Sequence, residues 1–167
     1  MKLNKNKIII LIISVIVIFI ALTFIIDSSN TKHVTKSSII DCLNKNSDKF
    51  ESVIKYIEDK KSYFTFYFDN TSKSIKFIEY NNNGEESDIT IDDVSVQENI
   101  KFILEKLEFV RIDVGKDYIL FIRESPGYDQ GVLYSRDGSA NNGFDEEKHI
   151  EGNWYYYLKT YTWYITR

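Results

Sequence analysis

The sequence predicts an α+β fold: an amino-terminal transmembrane helix, then a two-layer domain with amphipathic helices packed on an antiparallel sheet of about five or six strands. Three observations lead to this prediction. They are a long uncharged apolar run, two later segments with apolar residues at helical spacing, and several alternating segments joined by short turns. With 167 residues and 43% apolar side chains, the chain is long enough to build one real core. Short turns between consecutive strands favour antiparallel pairing.

The apolar run covers residues 8–26 and contains no charged side chain. A helix of this length spans about 28 Å, which is close to the hydrocarbon thickness of a bilayer. Three lysines precede the run, namely Lys2, Lys5 and Lys7, and Asp27 follows it directly. This charge bias predicts that the amino terminus stays in the cytoplasm and that the rest of the chain lies on the other side.

We therefore divide the chain into a cytoplasmic basic tail (1–7), a single-pass transmembrane helix (8–26), a polar tether (27–36) and an extracytoplasmic domain (37–167). A cleaved signal peptide is the competing interpretation. Its apolar stretch usually has 7–15 residues and ends in a small-x-small site. Here the run is longer, and only Ala21-x-Thr23 resembles such a site, so we expect an uncleaved anchor. A mature amino terminus between residues 22 and 30 would contradict it.

Two segments predict helices. In the first, Ser38 and Asp41 resemble a capping box, and apolar residues continue to Ile57 with an interruption at 44–47 that predicts two short helices or a kink. In the second, Ser95 and Glu98 fit the S-x-x-E capping box, and an apolar stripe runs on to Leu107.

Strands are predicted where apolar and polar residues alternate between turn residues. A hairpin is expected from "YFTFYFD" and "SIKFIEY", a second from "FVRIDV" and "YILFIRE", and single strands from "GVLYSR" and the aromatic carboxyl-terminal stretch. The segment "NNNGEESD" is predicted as a loop, "ITI" (89–91) as a brief extended piece, and 137–147 as a loop.

The charge distribution argues against nucleic acid as a partner. The net charge is −4, and removing the three amino-terminal lysines leaves 18 basic and 25 acidic residues, a net charge of −7 over 27–167. Phosphate binding needs clustered lysine and arginine, which this acidic body lacks.

The residues that usually carry catalysis or hold metals are scarce. Cys42 is the only cysteine, so no intramolecular disulfide or CxxC zinc pattern is possible, and His33 and His149 are the only histidines. A Cys42–His149 nucleophilic pair is the one dyad available, but a cysteine beside an apolar stripe is more often a core residue.

The acidic stretch 85–98 does not fit the EF-hand template, which leaves an irregular calcium site open as an alternative. We expect no catalytic residues, cofactor or metal.

The carboxyl-terminal strand supplies the candidate binding residues. One of its faces carries Tyr155, Tyr157, Tyr161 and Trp163, and Lys159 marks that face as the outer one. These rings could join Tyr63 and Tyr67 in an exposed aromatic surface, although tyrosine and tryptophan also suit a partly buried sheet. Packing is the favoured interpretation, and a ligand platform is the alternative.

These observations predict a membrane-anchored, non-catalytic interaction domain outside the cytoplasm that binds a protein, peptide or envelope component. A carbohydrate-binding module that uses the aromatic strand on cell-wall glycans is the first alternative. A small accessory or immunity-type protein would have the same sequence features. An enzyme, such as a carboxylate-dependent hydrolase, is the least favoured.

Overall fold

The computed structural model describes residues 34–58, 60, 63–69, 71–72, 74–81, 83–125, 127–139 and 143–161. The predicted cytoplasmic tail, the transmembrane helix, most of the tether and Trp163 lie outside the described residues. Apart from Val34, the described residues belong to one compact unit, 35–167. Within the described ranges, no helix has both the length and the apolarity needed to cross a membrane.

Three α-helices form one layer: α1 (Lys36–Lys45), α2 (Ser47–Glu58) and α3 (Val94–Lys101), the last of which continues as a π-helical turn (Phe102–Lys106). Asn46 separates α1 from α2 with a φ of −132°, which is not helical, and its side-chain amide donates to the Cys42 carbonyl at 2.8 Å. The predicted interruption at 44–47 is therefore confirmed, and it yields two short helices.

The two predicted capping residues are not the caps. The hydroxyl of Thr35 accepts the Ser38 N–H at 3.2 Å, and the carboxylate of Asp93 accepts the N–H groups of Ser95 and Val96. Each helix begins earlier than the S-x-x-acid pattern indicated, because a second residue able to cap lies two or three positions upstream.

Eight strands form one sheet in the order β3-β2-β1-β4-β5-β6-β8-β7, and all neighbouring pairs are antiparallel. The strands are β1 (Tyr63–Asp69), β2 (Ser74–Tyr80), β3 (Glu86–Asp88), β4 (Arg111–Val114), β5 (Tyr118–Ser125), β6 (Tyr128–Ser135), β7 (Glu146–Glu151) and β8 (Trp154–Thr160). The predicted α+β class and the antiparallel sheet are thus confirmed.

The described sheet has more strands than the five or six expected, and the two additional ones lie at its edges. β3 falls in the predicted loop, whereas 89–91 is not a strand, and β7 begins inside the predicted loop 137–147. Both edge strands are dominated by charged side chains, so neither has the alternating apolar pattern that identifies a half-buried strand.

Phe50 joins the helical layer to the sheet. Its ring is fully buried in α2 and meets Phe109, Phe121 and Trp154 edge-on, with ring centroids 5.6, 4.8 and 5.9 Å away. Edge-to-face contacts of this kind suit the quadrupoles of aromatic rings. We call the side of the sheet that these helices cover the helix face, and the opposite side the outer face.

A second, smaller core lies on the outer face. It consists of Ile122, Leu133, Tyr155 and Tyr157, with Tyr118, Leu120 and Phe144 packed against it. Phe144 belongs to the covering loop, by which we mean residues 136–139 and 143–145 between β6 and β7. The Tyr155 hydroxyl donates to the Gly138 carbonyl at 2.7 Å, and the Lys159 ammonium donates to the Gly143 carbonyl at 2.6 Å. These bonds hold the loop against the sheet.

An aspartate turn stabilises the start of the covering loop. The Asp137 carboxylate accepts the Ser139 N–H and the hydroxyls of Ser135 and Ser139, at 2.7–2.9 Å. These donors, first those of Ser139 and then that of Ser135, lower the pKa of Asp137 to about 2. The loop therefore carries a carboxylate that stays charged at all but strongly acidic pH.

Candidate functional site

The candidate aromatic residues in the described chain lie on the outer face but do not form one surface. A row of register partners runs across the sheet and contains Tyr67, Arg111, Ile122, Gly131 and Tyr157. Four strand spacings therefore separate the aromatic residues of β1 from those of β8, a distance of about 19 Å. The two groups belong to different parts of the outer face.

Two of these residues do not have the exposure that the alternative of a ligand platform requires. Tyr155 is 7% exposed and Tyr157 is 1% exposed, because the covering loop places Phe144 over them, with ring centroids of Phe144 and Tyr157 4.7 Å apart. Tyr161 is partly buried, and its hydroxyl donates to the Asp129 carboxylate. Tyr63 remains half exposed and Tyr67 is partly buried. The packing interpretation thus holds for Tyr155 and Tyr157.

The hydroxyl of Tyr157 is buried without a hydrogen-bond partner among the described residues. Its ring lies against Gly131, where an added Cβ would be 3.2 Å from the Tyr157 Cε1 atom. Burial, followed by the negative charges of Asp129 and Asp113, raises the pKa of Tyr157 well above its usual value, while Arg111 opposes the shift. This phenol stays neutral at physiological pH.

Removing that hydroxyl is expected to be neutral or to stabilise the fold. An unpaired buried hydroxyl carries a desolvation cost, so Tyr157→Phe should change the free energy of unfolding by between 0 and about +1 kcal/mol. The matched control is Tyr155→Phe, which removes a hydroxyl that is bonded to Gly138 and should cost about 1 kcal/mol. Urea unfolding of the full chain in detergent micelles measures both. A larger loss for Tyr157→Phe than for Tyr155→Phe would show that the Tyr157 hydroxyl has a hydrogen-bond partner.

A polar group occupies the centre of the outer face. The Asp113 carboxylate accepts the Thr65 hydroxyl at 3.0 Å and the Arg111 Nε–H at 2.9 Å. The Arg111 Nη2 atom also lies 3.8 Å from the Asp129 carboxylate. Burial raises the pKa of Asp113, and Arg111 and Thr65 oppose that rise. One arginine thus lies between two aspartates and compensates one of their two negative charges.

Beside Asp113 the outer face carries a pocket of about 370 Å³, which we call the outer-face pocket. Its lining residues, apart from Phe64 and Val114, are Tyr63, Thr65, Tyr80, Asp113, Gly115, Tyr118 and Leu120. Tyr63 was predicted as a binding residue from the sequence, whereas Tyr80 and Tyr118 were not. Their proximity depends on strand register, which composition does not reveal.

A larger cleft of about 900 Å³ lies on the helix face, between α2 and the turn that joins β7 to β8. We call it the helix–hairpin cleft. It is lined by Leu43, Asn44, Ser47, Glu51, Ile54, Lys55, Glu58, Tyr134, Ile150, Glu151, Gly152, Asn153 and Trp154. Gly152 has a φ of +52° at the first position of the two-residue turn, the conformation that a type II′ hairpin requires and that glycine favours.

The cleft combines a fixed apolar floor with an acidic rim. Trp154 forms part of the floor and is 9% exposed, held by Tyr134 at 5.2 Å between ring centroids. The rim carries three exposed carboxylates, from Glu51, Glu58 and Glu151, against one lysine, Lys55. Within the described part of the chain, these carboxylates take part in no ion pair. The rim therefore has a net charge of −2.

The residues considered for nucleophilic catalysis lie apart. Cys42 is in α1 on the helix face, where its Sγ atom lies 3.9 Å from the Arg123 Nη2 atom, while His149 pairs with Tyr155 on the outer face. Burial raises the pKa of the Cys42 thiol despite the opposing charges of Arg123 and Lys45. The sheet separates the two side chains, so they do not form a dyad.

Among the described residues, no group of three or more histidine, cysteine, aspartate or glutamate side chains is placed to hold a metal ion. Just before the acidic stretch, the side-chain oxygen of Asn81 accepts the N–H groups of Asn83 and Glu85, at 2.9 and 3.0 Å. The side-chain amide of Asn81 in turn donates to the Glu85 carboxylate at 2.7 Å. The loop before β3 is thus held by its own side chains.

Comparison of the chain with protein-family models, with curated proteins and with solved structures gave no match.

Proposed function

We propose that this chain is a non-catalytic interaction domain, anchored in the cell membrane by residues 8–26 and exposed outside the cytoplasm. We further propose that the helix–hairpin cleft receives a basic segment of a protein or peptide partner. The anchor and its orientation rest on the uncharged run and on the lysines before it. The binding site rests on the structure of the cleft.

The acidic rim above an apolar floor is the observation that carries the proposal. Leu43, Ile54 and Trp154 supply a buried, ordered surface at the base of the cleft. Such a floor suits an apolar anchor side chain, and the surrounding carboxylates suit lysine or arginine on either side of it. The domain as a whole also carries a net negative charge, which accelerates the approach of a positively charged partner.

A cell-wall glycan is the second candidate for the same cleft. Trp154 and Tyr134 both line it, and aromatic rings suit the apolar faces of sugars. The outer side of β8, on which the sequence-based glycan hypothesis relied, is buried at Tyr155 and Tyr157. The glycan candidate therefore depends on the helix face of that strand.

Site-specific photo-cross-linking in intact cells tests the proposal. A photoreactive phenylalanine derivative replaces Lys55 in the middle of the cleft rim, and the control places it at Lys116, an exposed lysine on the β4–β5 turn. Both changes remove one lysine, so they alter the net charge equally. We expect a discrete protein adduct from position 55 only, with a lysine- or arginine-rich segment at the cross-linked site.

Charge reversal then tests the role of the rim. Glu51→Lys combined with Glu151→Lys should reduce the yield of the adduct about tenfold, since rim charges contribute up to about 1 kcal/mol each. The matched control reverses Glu85 and Glu86, which are exposed and lie outside the cleft. Equal adducts from positions 55 and 116, or an adduct that survives reversal of the rim, would contradict the proposal. Binding of glycan fragments in place of a protein adduct would favour the second candidate.

A further inference from the structure

The outer-face pocket is a gap in a row of tyrosines. Tyr80 and Tyr63 are register partners, and the ladder between β1 and β4 continues from Phe64 and Val114 to place Gly115 beside Tyr63. Gly115 is followed in the same row by Tyr118, whose carbonyl accepts the Gly115 N–H at 2.9 Å. Two tyrosines stand on one side of the glycine and a third on the other.

Gly115 lies at this gap and has no side chain to fill it. A Cβ atom at this position would lie 3.4 Å from the Tyr118 ring, an ordinary contact distance, and the φ of Gly115 lies outside the left-handed region. The backbone therefore accepts a small side chain there, which would lie against the Tyr118 ring, and a longer one would extend into the pocket that Gly115 lines. Thr65, Asp113 and Leu120 form the adjacent wall of the pocket.

From this geometry we infer that the outer-face pocket binds an alkylated ammonium group, such as the trimethylammonium of choline. The faces of tyrosine rings attract cations through their quadrupole, and several rings around one cation form a recognised ammonium site. The lining residues are all described, and they include one acidic side chain, Asp113, and no lysine, arginine or histidine. Arg111 pairs with Asp113 but also lies near Asp129, so these three side chains together keep a net charge of −1 beside the pocket, which disfavours an anionic ligand. This inference concerns a site separate from the helix–hairpin cleft and does not depend on it.

The arrangement around Asp113 suits a ligand that is large and weakly hydrated. The carboxylate already accepts hydrogen bonds from Thr65 and Arg111, which occupy about two of its roughly four acceptor positions. The net charge of −1 on Asp113, Arg111 and Asp129 remains as a diffuse attraction for a cation. A quaternary ammonium has no N–H to donate and needs only charge and contact with the rings. The apolar side chain of Leu120 and the rings supply that contact.

Titration of the full chain in a non-ionic detergent, followed through the amide NMR signals of Asp113 and Gly115, tests the inference. The ligands are choline and 3,3-dimethylbutanol, which has the same shape but carries carbon in place of the charged nitrogen. We expect choline to shift these signals with an affinity at least about tenfold higher than that of the neutral analogue. Equal affinities would overturn the inference, as would saturation by glycan fragments without any response to choline.

Two variants locate the site. Gly115→Leu should fill the gap, and Tyr63→Leu should remove a half-exposed ring with little effect on folding. Each is expected to weaken choline binding about fivefold or more, whereas Thr71→Leu, an exposed position on the β1–β2 turn, should leave it unchanged. Unchanged binding in the first two variants would overturn the inference. Phosphatidylcholine vesicles in a parallel titration distinguish a lipid headgroup from free choline as the source of the ammonium.

Discussion

Gly131→Ala is expected to destabilise the domain by about 3 kcal/mol or more, the largest effect of any alanine substitution at a described glycine. Gly131 lies in β6 near the middle of the sheet, and a Cβ atom there would lie 1.9 Å from the backbone oxygen of Phe121 in β5. The obstacle is main chain and cannot rotate away. The strands would have to separate, which disturbs both cores, and overpacking of this kind commonly costs 1–3 kcal/mol or more.

Urea unfolding of the full chain in detergent micelles, followed by near-ultraviolet circular dichroism, measures this effect. Gly115→Ala is the matched control because its nearest contact would be 3.4 Å. That change should be neutral or stabilise by about 0.5 kcal/mol, since alanine reduces the entropy of the unfolded chain. Equal unfolding midpoints for the two variants would show that β5 and β6 do not approach each other as described.

Phe50→Ala is expected to cost about 3–5 kcal/mol. The Phe50 ring in α2 is fully buried and contacts the rings of Phe121 and Trp154 in the sheet, so its removal leaves a cavity where α2 meets the sheet. Because the helix face holds the main core, the loss should appear as a lower urea midpoint for the whole transition.

The comparison for this prediction is Phe102→Ala in the π-helical turn. Phe102 is partly buried and has the Lys49 ammonium 5.1 Å from its ring centroid, so we expect a loss of about 1 kcal/mol. The same unfolding experiment compares the two variants. A loss at Phe50 no larger than that at Phe102 would contradict the assignment of Phe50 as the contact between the layers.

The interior elements of the fold were predictable from the sequence because they are half buried. The strand Tyr63–Asp69 alternates apolar residues with a period of two, and its predicted pairing with Ser74–Tyr80 is confirmed. The break between α1 and α2 was predicted because a polar run interrupts the apolar stripe. An element that is buried on one face repeats its apolar residues at a regular spacing, and this spacing identifies the element as a helix or a strand.

The edge strands and the helix caps were not predictable in this way. β7 pairs with β8 through its backbone, while most of its side chains point to solvent, so it shows no period. The caps were misplaced because Thr35 and Ser38, or Asp93 and Ser95, are all residues that can begin a helix. Only the backbone conformation of the first turn distinguishes between them.

For the candidate sites, the sequence indicated residue types but not their surroundings. It predicted correctly that Tyr155 and Tyr157 share a face, but not that Phe144, eleven residues before Tyr155, folds back over them. The rim of the helix–hairpin cleft combines Glu51 with Glu151, which are far apart in the chain. No local pattern joins such residues, because the packing of α2 beside the β7–β8 turn brings them together.

The charged edges of the sheet also determine how another chain can bind. β3 consists of Glu86, Ser87 and Asp88, all exposed, and β7 carries glutamates at 146, 147 and 151. A strand of a second copy added in register at either edge would bring carboxylates close to carboxylates, which opposes such pairing. The open edges thus resist the end-to-end growth that leads to fibrils. They also direct a partner away from completing the sheet, towards the concave surfaces on its two faces.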